Sequence, residues 1–80
     1  MSVRQNGAKA VIGVKQLRRA LREGTVRKVY IAADAEDRIT APVAQTCAES
    51  GIPCETVPTM KELGLTFGIE VGAAAAGELL

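Results

Sequence analysis

The chain of 80 residues has no histidine and no tryptophan, and its whole aromatic content is Tyr30 and Phe67. Without histidine there is no Ser-His-Asp triad, no imidazole general base and no His-ligated metal. Two rings cannot make a platform on which several nucleic-acid bases stack. Cysteine is scarce too. Cys47 and Cys54 do not form a Cys-x-x-Cys pair, and no further thiol completes a zinc site, so they read as free, partly buried thiols of a reducing cytosol. No Gly-x-Gly-x-x-Gly or Walker-type loop is present. Ser2 and Ser50 have no base to activate them, and no pair of carboxylates stands apart from a solvated surface. The expectation is a protein with no catalytic residues, no metal and no cofactor. Long apolar runs are missing as well. Val71–Gly77 is too short to span a bilayer, and the start is polar through Lys9, which predicts no signal peptide, a cytoplasmic location and no membrane partner.

What is present fits one small domain covering residues 1–80, since 48% of the residues are apolar and 24% charged. Its core must come from Val, Ile, Leu and Ala. The net charge of +1 is unevenly spread. Residues 1–30 hold eight Lys and Arg against Glu23 alone, whereas residues 31–80 hold Arg38 and Lys61 against eight acids. A division of this kind suggests a basic face for a polyanion, the alternative being charges that pair across the fold.

The segments alternate in type. Ala10–Ile12 is a brief apolar run ended by Gly13, a buried strand. Over Lys15–Arg22 the spacing is helical, with Val14, Leu17, Ala20 and Leu21 on one face, Lys15, Arg18, Arg19 and Arg22 on the other, and Gly24 as the stop. Val26–Ala33 is a β-branched strand. Ala35–Arg38 reads as a polar turn. Thr40 is then the N-cap of a helix with Pro42 in its first turn, ending at Gly51. Ile52–Val57 is a short strand. Thr59 caps a helix through Leu65, with Glu62 completing a capping box, and Gly64 interrupts its pattern. Gly68–Gly72 is a loop. Ala73–Leu80 favours helix by propensity but suits a tightly packed strand equally. The order β-α-β-α-β-α-β implies a mainly parallel sheet with helices on both faces.

Two segments carry possible recognition chemistry. Gly13–Arg19 joins a strand to a helix whose first turn offers free backbone N–H groups and the positive end of the helix dipole. Lys15 and Gln16 stand there, and both side chains can hydrogen-bond base edges. Arg19, four residues on, shares the face of Lys15. The second segment, Gly64–Gly72, places Ile69 and Val71 in a loop between glycines, a position that either packs inward or meets a partner.

These segments resemble a known family. Gly13-x-Lys-Gln-x-x-Arg19, Ala32-Ala33-Asp34-Ala35-Glu36, Gly51-Ile52-Pro53, Leu63-Gly64 and Gly68-Ile69-Glu70-Val71 with the Ala-rich tail are similar, in order and spacing, to the ribosomal protein L7Ae family. The nearest branch is its short bacterial members. The resemblance runs from about Lys9 to Leu80. It implies the L30e-like fold, a three-layer α/β/α sandwich with a four-stranded mixed sheet, and makes the Ala-rich tail a strand. It also implies binding of kink-turn RNA, a sharply bent duplex with tandem sheared G·A pairs beside a short bulge. Carried over residue by residue, the G·A pairs are read by Gly13, Lys15, Gln16 and Arg19. An extruded base meets Glu36, and the bulge is covered by Ile69, Glu70 and Val71. The sequence departs from the archaeal and eukaryotic pattern at two places. The Asn-Glu pair of the helix start is Lys15-Gln16, and a basic residue near Thr59 is Met60, with Lys61 adjacent as its substitute. The expected partner is structured RNA, in ribosomal RNA or a messenger leader, bound by a monomer with no role for DNA. The alternative is a protein–protein scaffold of the same fold that has lost specific RNA binding.

Overall fold

The structure, a computed structural model, describes residues 10–80. Arg4 and Lys9 of the basic half, the polar start and the first residues of the expected 1–80 domain lie outside the described residues. The elements are β1 (Ala10–Ile12), α1 (Val14–Glu23), β2 (Val26–Ala32), α2 (Asp37–Ser50), β3 (Cys54–Val57), α3 (Met60–Thr66) and β4 (Ala75–Leu79). The four strands form one sheet in the order β1-β4-β2-β3.

Apolar residues sort onto the two sheet faces as the pleat requires. On one face Leu17 and Ala20 of α1 and Val43 and Cys47 of α2 pack over Val26, Val29 and Ala75. On the other, Leu63 of α3 and the adjoining Phe67 pack over Ala32 and Ala76, with Ala35 and Ala73. Strict alternation would put Val26 on the face opposite Val29, but an irregularity in the β2–β4 register between Val26 and Lys28 rephases the strand, so both valines reach the first core. The expected three-layer sandwich with a mixed sheet and a strand at the Ala-rich tail is what the chain forms. The two aromatic rings meet edge to face, with centroids 5.4 Å apart and planes at 70°. Phe67 is buried, so it presents no ring for stacking on a ligand.

Two expectations need correction. The sheet is not mainly parallel, because β4 is antiparallel to both β1 and β2, and only β2 and β3 pair in parallel. The cause lies in the connection after α3. Residues 68–74 double back along that short helix, with Ile69 N donating to Gly64 O and Ala73 N to Met60 O, both at 3.0 Å. The chain thus re-enters the sheet at the edge from which α3 departed, and its last strand runs the other way. Thr40 is not an N-cap. The helix begins at Asp37 with Glu36 at the cap position, so Asp37 and Arg38 belong to its first turn rather than to a preceding turn. Thr40 is buried in the second turn, its N–H donating to Glu36 O at 3.2 Å and its hydroxyl leaning on the same carbonyl at 3.5 Å. Pro42 therefore sits inside the helix, where its missing N–H leaves the Arg38 carbonyl without a helical donor.

Candidate nucleic-acid interface

Strand direction gathers the sequence-predicted residues at one end of the sheet. β1, β2 and β3 all finish there and β4 starts there, as the pairs Ile12–Ala76, Ile31–Ala75 and Ala32–Val57 show. The Gly13 turn, the Ala33–Glu36 turn, the start of α3 and the 68–74 loop are therefore neighbours along a single edge.

Gly13 makes the first of these turns. Its backbone, at φ 103° and ψ 147°, lies where L side chains are strained. Its N–H donates to Ala75 O at 2.9 Å, binding the turn to the start of β4, and its carbonyl accepts from Leu17 N at 3.0 Å. A Cβ here would stand 3.1 Å from Gln16 Oε1, so the bare Cα leaves room for that carboxamide over the turn. No side chain caps α1 and no acid occupies its first turn, so its leading N–H groups and the positive dipole end stay unsatisfied. The other two helix starts at this edge differ. α2 opens with Glu36 and Asp37. α3 is closed by its own chain: Thr59 Oγ1 accepts from Glu62 N at 3.0 Å, as expected, and Asp34 Oδ1 accepts from Met60 N at 2.8 Å.

Lys15, Gln16, Arg18, Arg19 and Arg22 are all exposed. With Val14 they line an open groove of about 690 Å³ along α1. Arg19 reaches Glu23 one turn on, Nε to Oε2 at 3.6 Å, in a pair exposed enough to be worth only about 0.3–0.5 kcal/mol and easily exchanged for another anion. Glu36 is exposed and its Oε1 takes the Arg38 guanidinium at 3.3 Å. Lys61 lies exposed in the first turn of α3. Of the loop residues, Glu70 and Val71 face solvent, whereas Ile69 is half-buried against the second core cluster. Ile69 is thus partly a packing residue. Val71, at 69% exposure, is open apolar surface on this edge, with Met60 exposed beside it at the start of α3.

Sequence reasoning missed the part played by Asp34. Its carboxylate ties the β2–α2 turn to the start of α3, 26 residues away. An Asp in a turn signals a cap, but nothing local says for which helix. The shifted ionisations lie elsewhere. Lys28 is held above the ordinary lysine value by hydrogen bonds to Glu55 and to Tyr30, and Tyr30 is raised by burial and by its bond to Glu78. Glu78 sits at the far end of β4, opposite Ala10 and Lys28.

Residues 1–78 match the family described as ribosomal protein L7Ae/L30e/S12e/Gadd45. The chain belongs to that family. Relatives include an RNA-binding protein of Caldanaerobacter subterraneus subsp. tengcongensis, 43% identical over 72 residues that make up 90% of this chain and 88% of the relative. Another is the RNA-binding protein YbxF of Geobacillus stearothermophilus, 44% identical over 71 residues, 89% of this chain and 87% of that one. Among solved structures, the fold is similar to the Giardia lamblia 15.5 kD RNA binding protein, with a TM-score of 0.82 at 22% identity, covering 89% of this chain and 60% of that one. It is also similar to a Bacillus halodurans protein of unknown function, with a TM-score of 0.78 at 23% identity, covering 86% of this chain and 69% of that one. At such identities these two likenesses bear on fold alone. They agree with the L30e-like architecture.

Proposed function

We propose that the chain binds structured RNA at a kink-turn, as a cytoplasmic monomer associated with the ribosome through ribosomal RNA or acting on a messenger leader, and that it is not an enzyme. The observation that carries this reading is the convergence at one sheet edge of an uncapped, acid-free helix start with Lys15 and Gln16, the acidic start of α2 and the Val71 loop. Membership of the family and the RNA-binding names of the relatives support it.

The chemistry follows from RNA shape. A regular A-form major groove is too narrow for side chains. Where the duplex kinks, that groove opens and a helix start can enter. The free N–H groups of α1 meet backbone phosphate, the Lys15 ammonium, the Gln16 carboxamide and Arg19 meet the edges of the G·A pairs at the Gly13 turn, and Glu36 accepts from an extruded base. Ile69, Glu70 and Val71 cover the bulge, and Lys61 takes phosphate beside α3. Gln16 both donates and accepts, whereas Lys15 only donates.

Calorimetric titration of a kink-turn duplex, and of the same duplex with its G·A pairs made Watson–Crick, tests the reading at matched salt. The kink-turn should bind more tightly, and Arg19→Ala should weaken that preference by about 1–3 kcal/mol. Equal affinity for the two RNAs refutes specific recognition.

A further inference from the structure

The two cysteines lie on different elements and take no part in the edge described above. Cys47, near the end of α2, is buried in the first core cluster with Val29. Cys54 opens β3 and is exposed. In the parallel ladder Cys54 stands beside Val29. Residues paired in this way point to the same face of a sheet, and Val29 points into the core that holds Cys47. The edge strand therefore aims the Cys54 thiol along the face that α2 covers. The intervening turn holds the two ends together, with Ile52 N donating to Cys47 O at 2.9 Å and Pro53 O accepting from Val29 N at 2.9 Å. The result is two thiols in hydrogen-bonding contact, one buried and one open to solvent. Burial first, and then the neighbouring Cys54, raise the Cys47 thiol from 9.0 to about 11, so it keeps its proton at neutral pH.

We propose that Cys47 and Cys54 are a modification site, a dithiol that closes to an intramolecular disulfide by exchange with a low-molecular-weight disulfide and staples the end of α2 to β3 without disturbing the RNA edge. The Cys54 thiolate attacks one sulfur of the small disulfide, whose S–S bond breaks, and the first small thiolate leaves with the bonding pair. The Cys47 sulfur gives up its proton to solvent and attacks the Cys54 sulfur of the mixed disulfide, and the second small thiolate leaves. The protein loses two protons and two electrons, and the small disulfide is reduced to two thiols. Exposure makes Cys54 the point of entry, and burial makes Cys47 the resolving thiol. A disulfide needs two cysteines that face each other at short range, and the fold already holds these two so in the reduced state. The new bond closes the eight-residue loop Cys47–Cys54. It lies at the end of the sheet away from the RNA edge. β3 runs from Cys54 to Val57, which pairs with Ala32 at that edge, and α2 starts there and runs away from it.

The test treats the folded, reduced protein with glutathione disulfide. Intact mass should fall by two hydrogens, with no glutathione retained and no covalent dimer. Cleavage after Glu49 and Glu55 puts the reduced cysteines in separate peptides, and in the oxidised protein those peptides should stay joined. Tm should rise by on the order of 10 °C, as expected for a short closed loop in a small domain, and a reductant should reverse the rise. Cys47→Ala should stop at a stable mixed disulfide on Cys54. Cys54→Ser, at an exposed position that leaves the core intact, should not react and should keep its Tm in the oxidant. Kink-turn RNA should bind the reduced and oxidised wild type equally. A wild type that stays reduced, halts at the mixed disulfide or dimerises through Cys54 overturns the staple, as does a Tm that fails to rise. A difference in RNA affinity between the two forms overturns its independence of the RNA edge. If neither form binds the RNA, the kink-turn reading falls while the mass, peptide and melting results still decide the staple.

Discussion

Alanine at position 64 sets two effects of opposite sign against each other. In a helix interior, Gly→Ala ordinarily stabilises by about 1 kcal/mol. Here the new Cβ would overlap the Val71 carbonyl oxygen, and it would lie 3.1 Å from the carbonyl carbon of Val71 and 3.4 Å from Gly72 Cα. All three are backbone atoms, so no rotamer change relieves the contact. The loop must move off α3, straining the bonds from Ile69 N to Gly64 O and from Ala73 N to Met60 O. Overpacking costs about 1–3 kcal/mol and each lost hydrogen bond about 1 kcal/mol net. Subtracting the propensity gain leaves a destabilisation of about 1–4 kcal/mol. At about 4–8 °C per kcal/mol for a domain this small, Gly64→Ala should lower Tm by roughly 4–30 °C. Circular dichroism melts measure this, and amide exchange at Ala73 should accelerate. RNA affinity should fall several-fold as the Val71 loop shifts. A Tm equal to or above the parent's would show that the close approach of loop and helix is not what makes glycine necessary.

Lys15→Asn with Gln16→Glu should raise the ratio of kink-turn to plain-duplex affinity, because a carboxylate accepts about twice as strongly as a carboxamide, and should flatten the salt slope by about one as one cation leaves. Titrations at two salt concentrations check both effects; a fixed or smaller ratio in a folded mutant means that these positions do not read the G·A pairs. Asp34→Ala should cost about 1–2 kcal/mol in urea titration by removing the carboxylate acceptor of Met60 N. The domain should also lose stability in alkali. Hydrogen bonds to Glu55 and Tyr30 raise Lys28 above 10.5, burial and then Glu78 raise Tyr30 above 10.0, and burial and then Cys54 push the Cys47 thiol from 9.0 up to about 11. All three hold their protons more tightly when folded, so their contributions are complete below about pH 9 and disappear as pH rises through these raised values. Circular dichroism from pH 8 to 12 should show the fall. At pH 8 a thiol reagent should modify exposed Cys54 quickly and buried Cys47 only as the fold opens.

The parts of this fold legible in sequence were those set by nearest neighbours. The spacing of Leu17 and Ala20 gave α1 its buried face, Gly24 and Gly51 ended their helices, and Thr59 with Glu62 began α3. Thr40-Ala41-Pro42 misled because a good cap followed by proline is only one way to start a helix; Glu36 opens α2 with no side-chain capping bond to the helix backbone. Strand direction was out of reach from alternation alone. It depends on Gly64 and Gly72 letting two backbone segments touch, and the contact appears only once both are placed. The resemblance, unlike the periodicity, carried the mixed sheet. At the candidate site the α1 residues could be grouped from spacing, but only strand order brings Glu36, Lys61 and the Val71 loop to the same edge. The half-buried state of Ile69 and the long-range tie from Asp34 depend on tertiary contacts.

Because β4 lies between β1 and β2, the last strand in chain order is the partner that both earlier strands require. β1 has three residues and pairs with β4 alone. Until Ala75–Leu79 has been synthesised, β1 has no ladder, Gly13 N has no Ala75 carbonyl to hold its turn, and neither core is closed. A growing chain therefore completes its sheet late, the β1–β4 pairs joining residues more than 60 positions apart, and loop-closure entropy must be met before those contacts form. Folding should thus wait for Ala75–Leu79, and the Gly13 turn at the start of α1 takes its final shape only then.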